Sequence, residues 1–264
     1  MPTPTLSAIY RYPVKSLRGQ SFDALNADSR GLVGDRRWMV VDADGRFLTQ
    51  RQLARMALVD ARFDTGDVLC LDAPGMPTLR VVGGDEPCQV EVWRDRVGAV
   101  GGDLAADRWL SEFLGMPCRL VHQPEDSRRP VDPDFARPDD QVGFADGFPF
   151  LLISQASLDA LNARLELPVP MLRFRPNLVV AGCDAHAEDG WRRIRIGDMT
   201  FRVVKPCSRC VIPTVDIDTA ERGREPLATL MSYRKRDNKI YFGQNLIHDA
   251  PGSLRVGMPV EIVE

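Results

Sequence analysis

From residue 36 to residue 92 the sequence breaks into brief β-prone runs divided by turn residues, and that cadence limits the folds open to it. Arg36 to Val41, Phe47 to Gln50, Leu58 to Phe63, Val68 to Leu71, Thr78 to Val82 and Gln89 to Val92 are each predicted to be strands. Between them stand Asp44-Gly45, an Asp-Thr-Gly turn at 64–66, Pro74-Gly75 and Gly83-Gly84-Asp85. Short strands at this spacing point to a barrel-like or sandwiched β domain rather than to parallel βαβ units. Alternation along a strand would place Arg36 and Trp38 on one face. Arg36 beside Asp35 reads either as a surface pair or as an arginine turned into a site.

The first helical pattern is Asp103 to Leu114, where Leu104, Trp109, Leu110 and Phe113 form one apolar stripe and Gly115-Met116-Pro117 follows as a stop. Cys118 to His122 is then a strand. Residues 123–141 are rich in Pro, Asp and Arg without apolar periodicity, as a linker or a long loop would be. The expected division is therefore an N-terminal β-rich domain over 1–122, the linker, and a second β domain over 142–264. The second half is predicted to hold strands at Phe148 to Ser154, after Arg173 to Asn177, at Arg192 to Ile196, at Met199 to Val204 and from Ser253 to Val263. A further strand, Tyr241 to Ile247, is expected to bend at Gly243. Short helices are expected over Ser157 to Leu165, capped by Ser157, and over Pro226 to Tyr233. The class is mainly β with short helices (α+β).

A chain of 264 residues with 44% hydrophobic and 27% charged residues can bury a substantial core. Its net charge of −3 gives no electrostatic case for a nucleic-acid or membrane-surface partner. Six scattered cysteines do not form a disulfide framework and suit a reducing compartment. The amino terminus shows no basic segment followed by an apolar one, and no run reaches the length of a membrane span, so a cytoplasmic location is expected.

The chemistry is densest in Lys205-Pro-Cys-Ser-Arg-Cys-Val-Ile-Pro-Thr-Val-Asp216, entered from the Met199 to Val204 strand and left by a run from Val211 to Val215 that is predicted to be extended. A Cys-x-x-Cys pair can be a redox dithiol, but that arrangement sits at the start of a helix, and a proline-interrupted run follows here. It can be half of a zinc site, but Cys70, Cys88, Cys118 and Cys183 are isolated and the histidines far apart. It can supply one thiolate to a soft metal that brings its own ligands, with Arg209 and Lys205 favouring thiolate and offering charge to an anion. It can also be two buried cysteines at a strand end. Upstream, Lys15-Ser16 with Arg18 could bind phosphate or be a solvated turn; it is not a P-loop, since no glycine-rich loop opens a helix there. Arg175 turns into a strand where a guanidinium can reach a phosphate.

Taken together, Tyr12-Pro-Val-Lys-Ser16, Gly34-Asp-Arg-Arg-Trp38, Phe174-Arg-Pro-Asn177, Cys207-Ser-Arg-Cys210 with Thr214-Val-Asp216, and Phe242-Gly-Gln244 resemble the MOSC proteins, named for the C-terminal domain of molybdenum cofactor sulfurase. More narrowly, the chain is similar to amidoxime-reducing components and their bacterial relatives that reduce N-hydroxylated bases. The resemblance implies a molybdopterin-bound molybdenum with Cys210 as its protein ligand and catalytic centre. It also implies that Lys15, Ser16, Arg36, Arg175, Asn177, Ser208 and Arg209 hold the pterin and its phosphate, with Asp146 near another cofactor position. The implied architecture is an N-terminal β-rich domain and a MOSC β-barrel domain with the cofactor between them. No iron–sulfur cysteine pattern or dinucleotide fingerprint occurs, so a separate ferredoxin- or cytochrome-type donor with its reductase is expected, acting on a small-molecule substrate. A carrier protein bearing a persulfide on Cys207 or Cys210, and a β-rich binding protein without catalysis, are the rival readings.

Overall fold

A computed structural model describes residues 3–65 and 68–264. Gly66, which closes the expected Asp-Thr-Gly turn, lies outside the described residues, as do Met1 and Pro2. The fold is mainly β with short helices, as expected. Among the described residues the largest sheet has nine strands. Its path runs Val260–Ile262, Arg193–Ile196, Met199–Ser208, Lys239–His248, Phe150–Ser154, Leu178–Ala181, Thr5–Arg11 and Gln20–Phe22, and the ninth strand, Lys235–Arg236, pairs with Lys239–His248 off that path. Phe150–Ser154 and Leu178–Ala181 run parallel; the other neighbours on that path are antiparallel. Alternating residues Leu6, Ile9, Phe150, Leu152, Phe201 and Leu246 fill its core.

The chain's first strands thus belong to a sheet made mostly by its second half. Ala24–Asp28 extends this crossing by pairing with Gly252–Arg255. A separate four-stranded sheet holds Trp38–Val41, Arg119–His122, Asp95–Gly101 and Glu86–Val92, in that order. The Leu104–Leu114 helix buries Trp109, Leu110 and Phe113 against Val40, Leu69 and Leu71. Asp103 caps it, its Oδ1 accepting from the Ala105 and Ala106 N–H groups, and Gly115 ends it at φ 73°. Among the described residues no helix is long and apolar enough to cross a membrane.

Several local expectations give way. Arg36 is not in a strand: it has left-handed φ 46° and the strand begins at Trp38, so the two side chains share no strand face. Phe47 makes only an isolated bridge to Val41. The helix expected over Ser157 to Leu165 is Gln155–Asn162, because Ser154 Oγ accepts the Ser157 N–H and is the cap. Val211 to Val215 is not extended, since Ile212–Thr214 is a short 3-10 turn. Proline is tolerated in the first turn of a helix, where its missing N–H costs nothing. Asp95–Gly101 is a strand that its glycines and charges conceal.

The Met199–Ser208 strand ends irregularly. Its register against Lys239–His248 slips between Val203 and Lys205 and again between Pro206 and Ser208. Pro206 has no N–H to give the ladder, and irregularities of this kind re-aim side chains at a sheet's end. Opposite, Gly243 bends its strand at φ +82°, where a Cβ would stand 2.6 Å from Ile153 Cγ1 and 2.8 Å from the Leu152 carbonyl oxygen.

Candidate functional site

The irregular end of that strand turns Cys207, Ser208, Arg209 and Cys210 into a cavity of about 140 Å³. The same wall continues into an outer groove of about 1130 Å³ that shares Arg51, Asp146 and both cysteines. Of the residues picked out from sequence, Lys15, Ser16, Arg36, Asp146, Arg175, Asn177, Ser208, Arg209 and Cys210 line the inner cavity, whereas Arg18 pairs with Asp218 and Lys205 lines only the outer groove. Its cationic side chains, Lys15, Arg36, Arg51, Arg175 and Arg209, face the single carboxylate of Asp146. In a chain of net charge −3, that concentration of positive charge is local.

Three of these residues hold left-handed backbone: Ser16 at φ 65°, Arg36 at 46° and Arg175 at 58°. Such conformations cost L-residues of order 1–3 kcal/mol each, and persist where the surroundings over-determine them. The Val14 to Gly19 stretch is no solvated turn, since Val14, Lys15, Ser16 and Leu17 are all buried. Lys15 Nζ donates to the Phe144 carbonyl at 2.8 Å and to Asp146 Oδ1 at 2.6 Å. Burial pushes the Lys15 ammonium down to about 8 although Asp146 opposes this. Asp146 also accepts from Arg51 Nη2 at 2.8 Å. Partial desolvation raises its half-exposed carboxyl, but Lys15 and Arg51 outweigh that and hold it well below the usual carboxylate range.

Arg36 Nη1 donates to Asp35 Oδ2 at 2.6 Å and to Asn177 Oδ1 at 3.0 Å, while Nη2 reaches the Arg175 carbonyl at 3.0 Å. Asn177 spends its other amide end on the Tyr10 carbonyl, so it positions Arg36 and leaves little for a ligand. Arg36 and Arg175 both lie over the buried Tyr12 ring, 4.2 and 4.3 Å from its centre. Burial, reinforced by the Arg36 charge, pushes Arg175 down to about 10. Arg175 Nη1 donates to the Leu17 carbonyl at 2.7 Å, whereas its buried Nη2 has no hydrogen-bond partner. Arg209 donates from Nη1 to Cys207 Sγ at 3.0 Å and from Nη2 to the Phe174 carbonyl at 2.8 Å, and its buried Nε is likewise without a partner. Arg51 Nη1 is unpaired as well, so three cavity-lining guanidinium groups each keep a buried nitrogen without a hydrogen-bond partner among the described residues, a deficit that a bound anion would satisfy.

Tyr12 makes the cavity sensitive to its floor. A Cβ at Gly19 would stand 2.2 Å from the Tyr12 ring carbons. Gly19→Ala is expected to destabilise the fold by roughly 1–3 kcal/mol, the usual cost of overpacking, and to displace the surface under both arginines. A urea melt with an unchanged midpoint would show that the ring can move aside freely.

Sequence reasoning missed Arg51, Tyr12's role beneath the arginines, and Arg129. Arg129 is 3% exposed and ties down the loop that carries Asp146, donating to the Gly143 and Ala145 carbonyls at 2.8 and 2.6 Å. Lys205 lines the outer groove rather than the inner cavity, its ammonium 4.2 Å from the centre of the Phe135 ring. The segment 123–141 packs over the groove, with Gln123, Arg129 and Val131 buried and Pro130 bridged to Gln141. All six cysteines are free. Among the described residues no group of three or more His, Cys, Asp or Glu stands close enough to hold a metal ion, so the zinc reading has no second ligand pair.

Comparison with known proteins adds to this geometry. A family model described as the MOSC domain matches residues 139–261, and one described as the MOSC N-terminal beta barrel domain matches residues 3–117. The chain is 39% identical over 282 residues to mitochondrial amidoxime-reducing component 1 of Homo sapiens, covering 98% of this chain and 83% of that protein. It is 37% identical over 278 residues to mitochondrial amidoxime reducing component 2 of Bos taurus, covering 97% and 82%. Molybdenum cofactor sulfurase of Oryza sativa subsp. japonica is 31% identical over 90% of this chain but only 32% of its own length. The human and bovine relatives are named mitochondrial, which overturns the cytoplasmic location expected from the sequence. Charge and cysteine spacing bear on solubility and redox state and do not by themselves specify a compartment.

Proposed function

The chain belongs to the MOSC family, and from that premise we propose that it reduces N-hydroxylated compounds with a molybdenum–pterin cofactor held around Cys210. The observation that carries this reading is the set of three unpaired buried guanidinium nitrogens, Arg51 Nη1, Arg175 Nη2 and Arg209 Nε, on residues that line a cavity with a free thiol. Names of relatives support the substrate class, since an amidoxime is an N-hydroxylated amidine. A pterin phosphate suits fixed guanidinium donors, and a soft metal suits one thiolate.

In this reading Cys210 supplies the protein ligand to molybdenum. Arg175 and Arg209 bind the phosphate through their free donors, with Lys15 and Ser16 beside them. Arg36, itself held by Asn177 Oδ1, donates to the Arg175 carbonyl and keeps Arg175 in place, and Arg129 fixes the loop that presents Asp146. When bound, the cofactor supplies the two-electron chemistry that cleaves the N–O bond. The broad outer groove gives substrate a path to the thiol end of the cavity.

Electrons come, in this reading, from a separate ferredoxin- or cytochrome-type protein and its reductase. Purified, molybdenum-loaded protein is expected to leave an amidoxime unreduced with NADH or NADPH alone. It is expected to reduce it with a low-potential artificial donor, or with such a partner and reductase added. Failure to reduce with every donor would contradict the reading.

A further inference from the structure

We infer that Trp93 is the platform on which the outer groove selects flat, conjugated substrates over small non-aromatic ones. Trp93 and Arg94 form the two-residue turn between Glu86–Val92 and Asp95–Gly101. Trp93 has φ 60°, and the first position of such a turn with φ above zero is one that glycine fills at least cost. Here it carries the largest side chain available, 51% exposed, on the wall of the groove. A bulky residue in left-handed backbone that gains so little burial is not explained by packing.

The ring's surroundings link it to the reacting end of the site. Its centre lies 5.1 Å from that of Phe47, and the Arg51 guanidinium sits 4.8 Å away. Arg51 in turn donates to Asp146 at 2.8 Å and, with Cys210, lines both the inner cavity and the groove. The covering segment adds Pro130, Val131 and Pro133 to the groove's lining, beside the charged Arg129, Asp132 and Arg137. An exposed indole on the groove's lining favours a flat conjugated ligand, whose face gains stacking that a compact aliphatic one cannot. The platform rests on the reductase reading for the N-hydroxylated group, but its selection is a property of binding alone.

The test measures binding of benzamidoxime and acetamidoxime by titration calorimetry to the holoprotein without an electron donor. The variants are Trp93→Gly, which suits the turn's backbone, and Trp93→Phe, which keeps an aromatic face. Wild-type protein is expected to prefer benzamidoxime. Trp93→Gly should keep its melting temperature within a few degrees and lose roughly five- to tenfold of that preference, most of which Trp93→Phe restores. An unchanged preference in Trp93→Gly, an equal loss for both ligands, or wild-type protein that binds the two alike would overturn the inference. A Trp93-dependent preference in protein that reduces neither compound with any donor would refute the reductase reading and leave the platform standing.

Discussion

Cys210→Ala is expected to purify folded but without molybdenum, and to lose amidoxime reduction to background. Cys210 is only half-buried at the wall of the cavity, so its removal empties no core and the melting temperature should hardly move. What it removes is the one protein ligand proposed for the metal, and the other thiol on the cavity lining, Cys207, is engaged by Arg209. Cys207 differs: its sulfur accepts from Arg209 Nη1, so Cys207→Ala loosens Arg209 without removing a metal ligand. That variant should keep molybdenum with a milder loss of activity. Metal analysis beside a thermal melt checks both. Cys210→Ala protein that keeps molybdenum and turnover would move the ligand elsewhere.

Arg36→Ala and Arg175→Ala should fail for different reasons. Arg36 neutralises Asp35, which is 4% exposed and otherwise accepts only the Tyr12 N–H. Removing one member of a buried ion pair leaves an uncompensated charge, a loss of about 3–5 kcal/mol, so Arg36→Ala should be destabilised even without cofactor. Among the described residues Arg175 makes no salt bridge, and Arg36 repels it, so Arg175→Ala should cost the cofactor-free fold much less. Its cost falls on the anion: a charge-assisted hydrogen bond typically contributes roughly 1.5–3 kcal/mol. Arg175→Lys should recover only part of the binding, since an ammonium lacks the planar fork. The two effects separate in a urea midpoint measured without cofactor and in pterin released per chain. Arg175→Ala protein that retains pterin as wild type does would show that its free donor is not aimed at the phosphate.

The sequence made the site legible where residue types stood close together. Cys207 to Cys210 and Lys15-Ser16 are short runs whose chemistry can be read locally, and they lie on one cavity wall. Arg51, Tyr12 and Arg129 could not be found this way, because their roles come from tertiary contacts that no local pattern encodes. The same limit applied to the fold. The segment from Leu6 to Pro13 is β-prone in sequence, but strand propensity does not name a partner, and Thr5–Arg11 pairs with Leu178–Ala181. Left-handed backbone at Arg36 broke a strand that composition alone extended. At the second helix, Ser154 and Ser157 are both acceptable caps, and contacts decide between them: Ser157 Oγ is spent on the buried Glu188 instead.

Cofactor binding at Cys210 is tested most directly by the molybdenum and pterin content of wild-type protein made in a host that synthesises the cofactor. Near-stoichiometric molybdenum with a releasable pterin is expected, both absent from Cys210→Ala made in parallel. Metal-free wild-type protein from that host, carrying cyanide-labile sulfur on Cys207 or Cys210, would contradict this and make the chain a sulfur carrier.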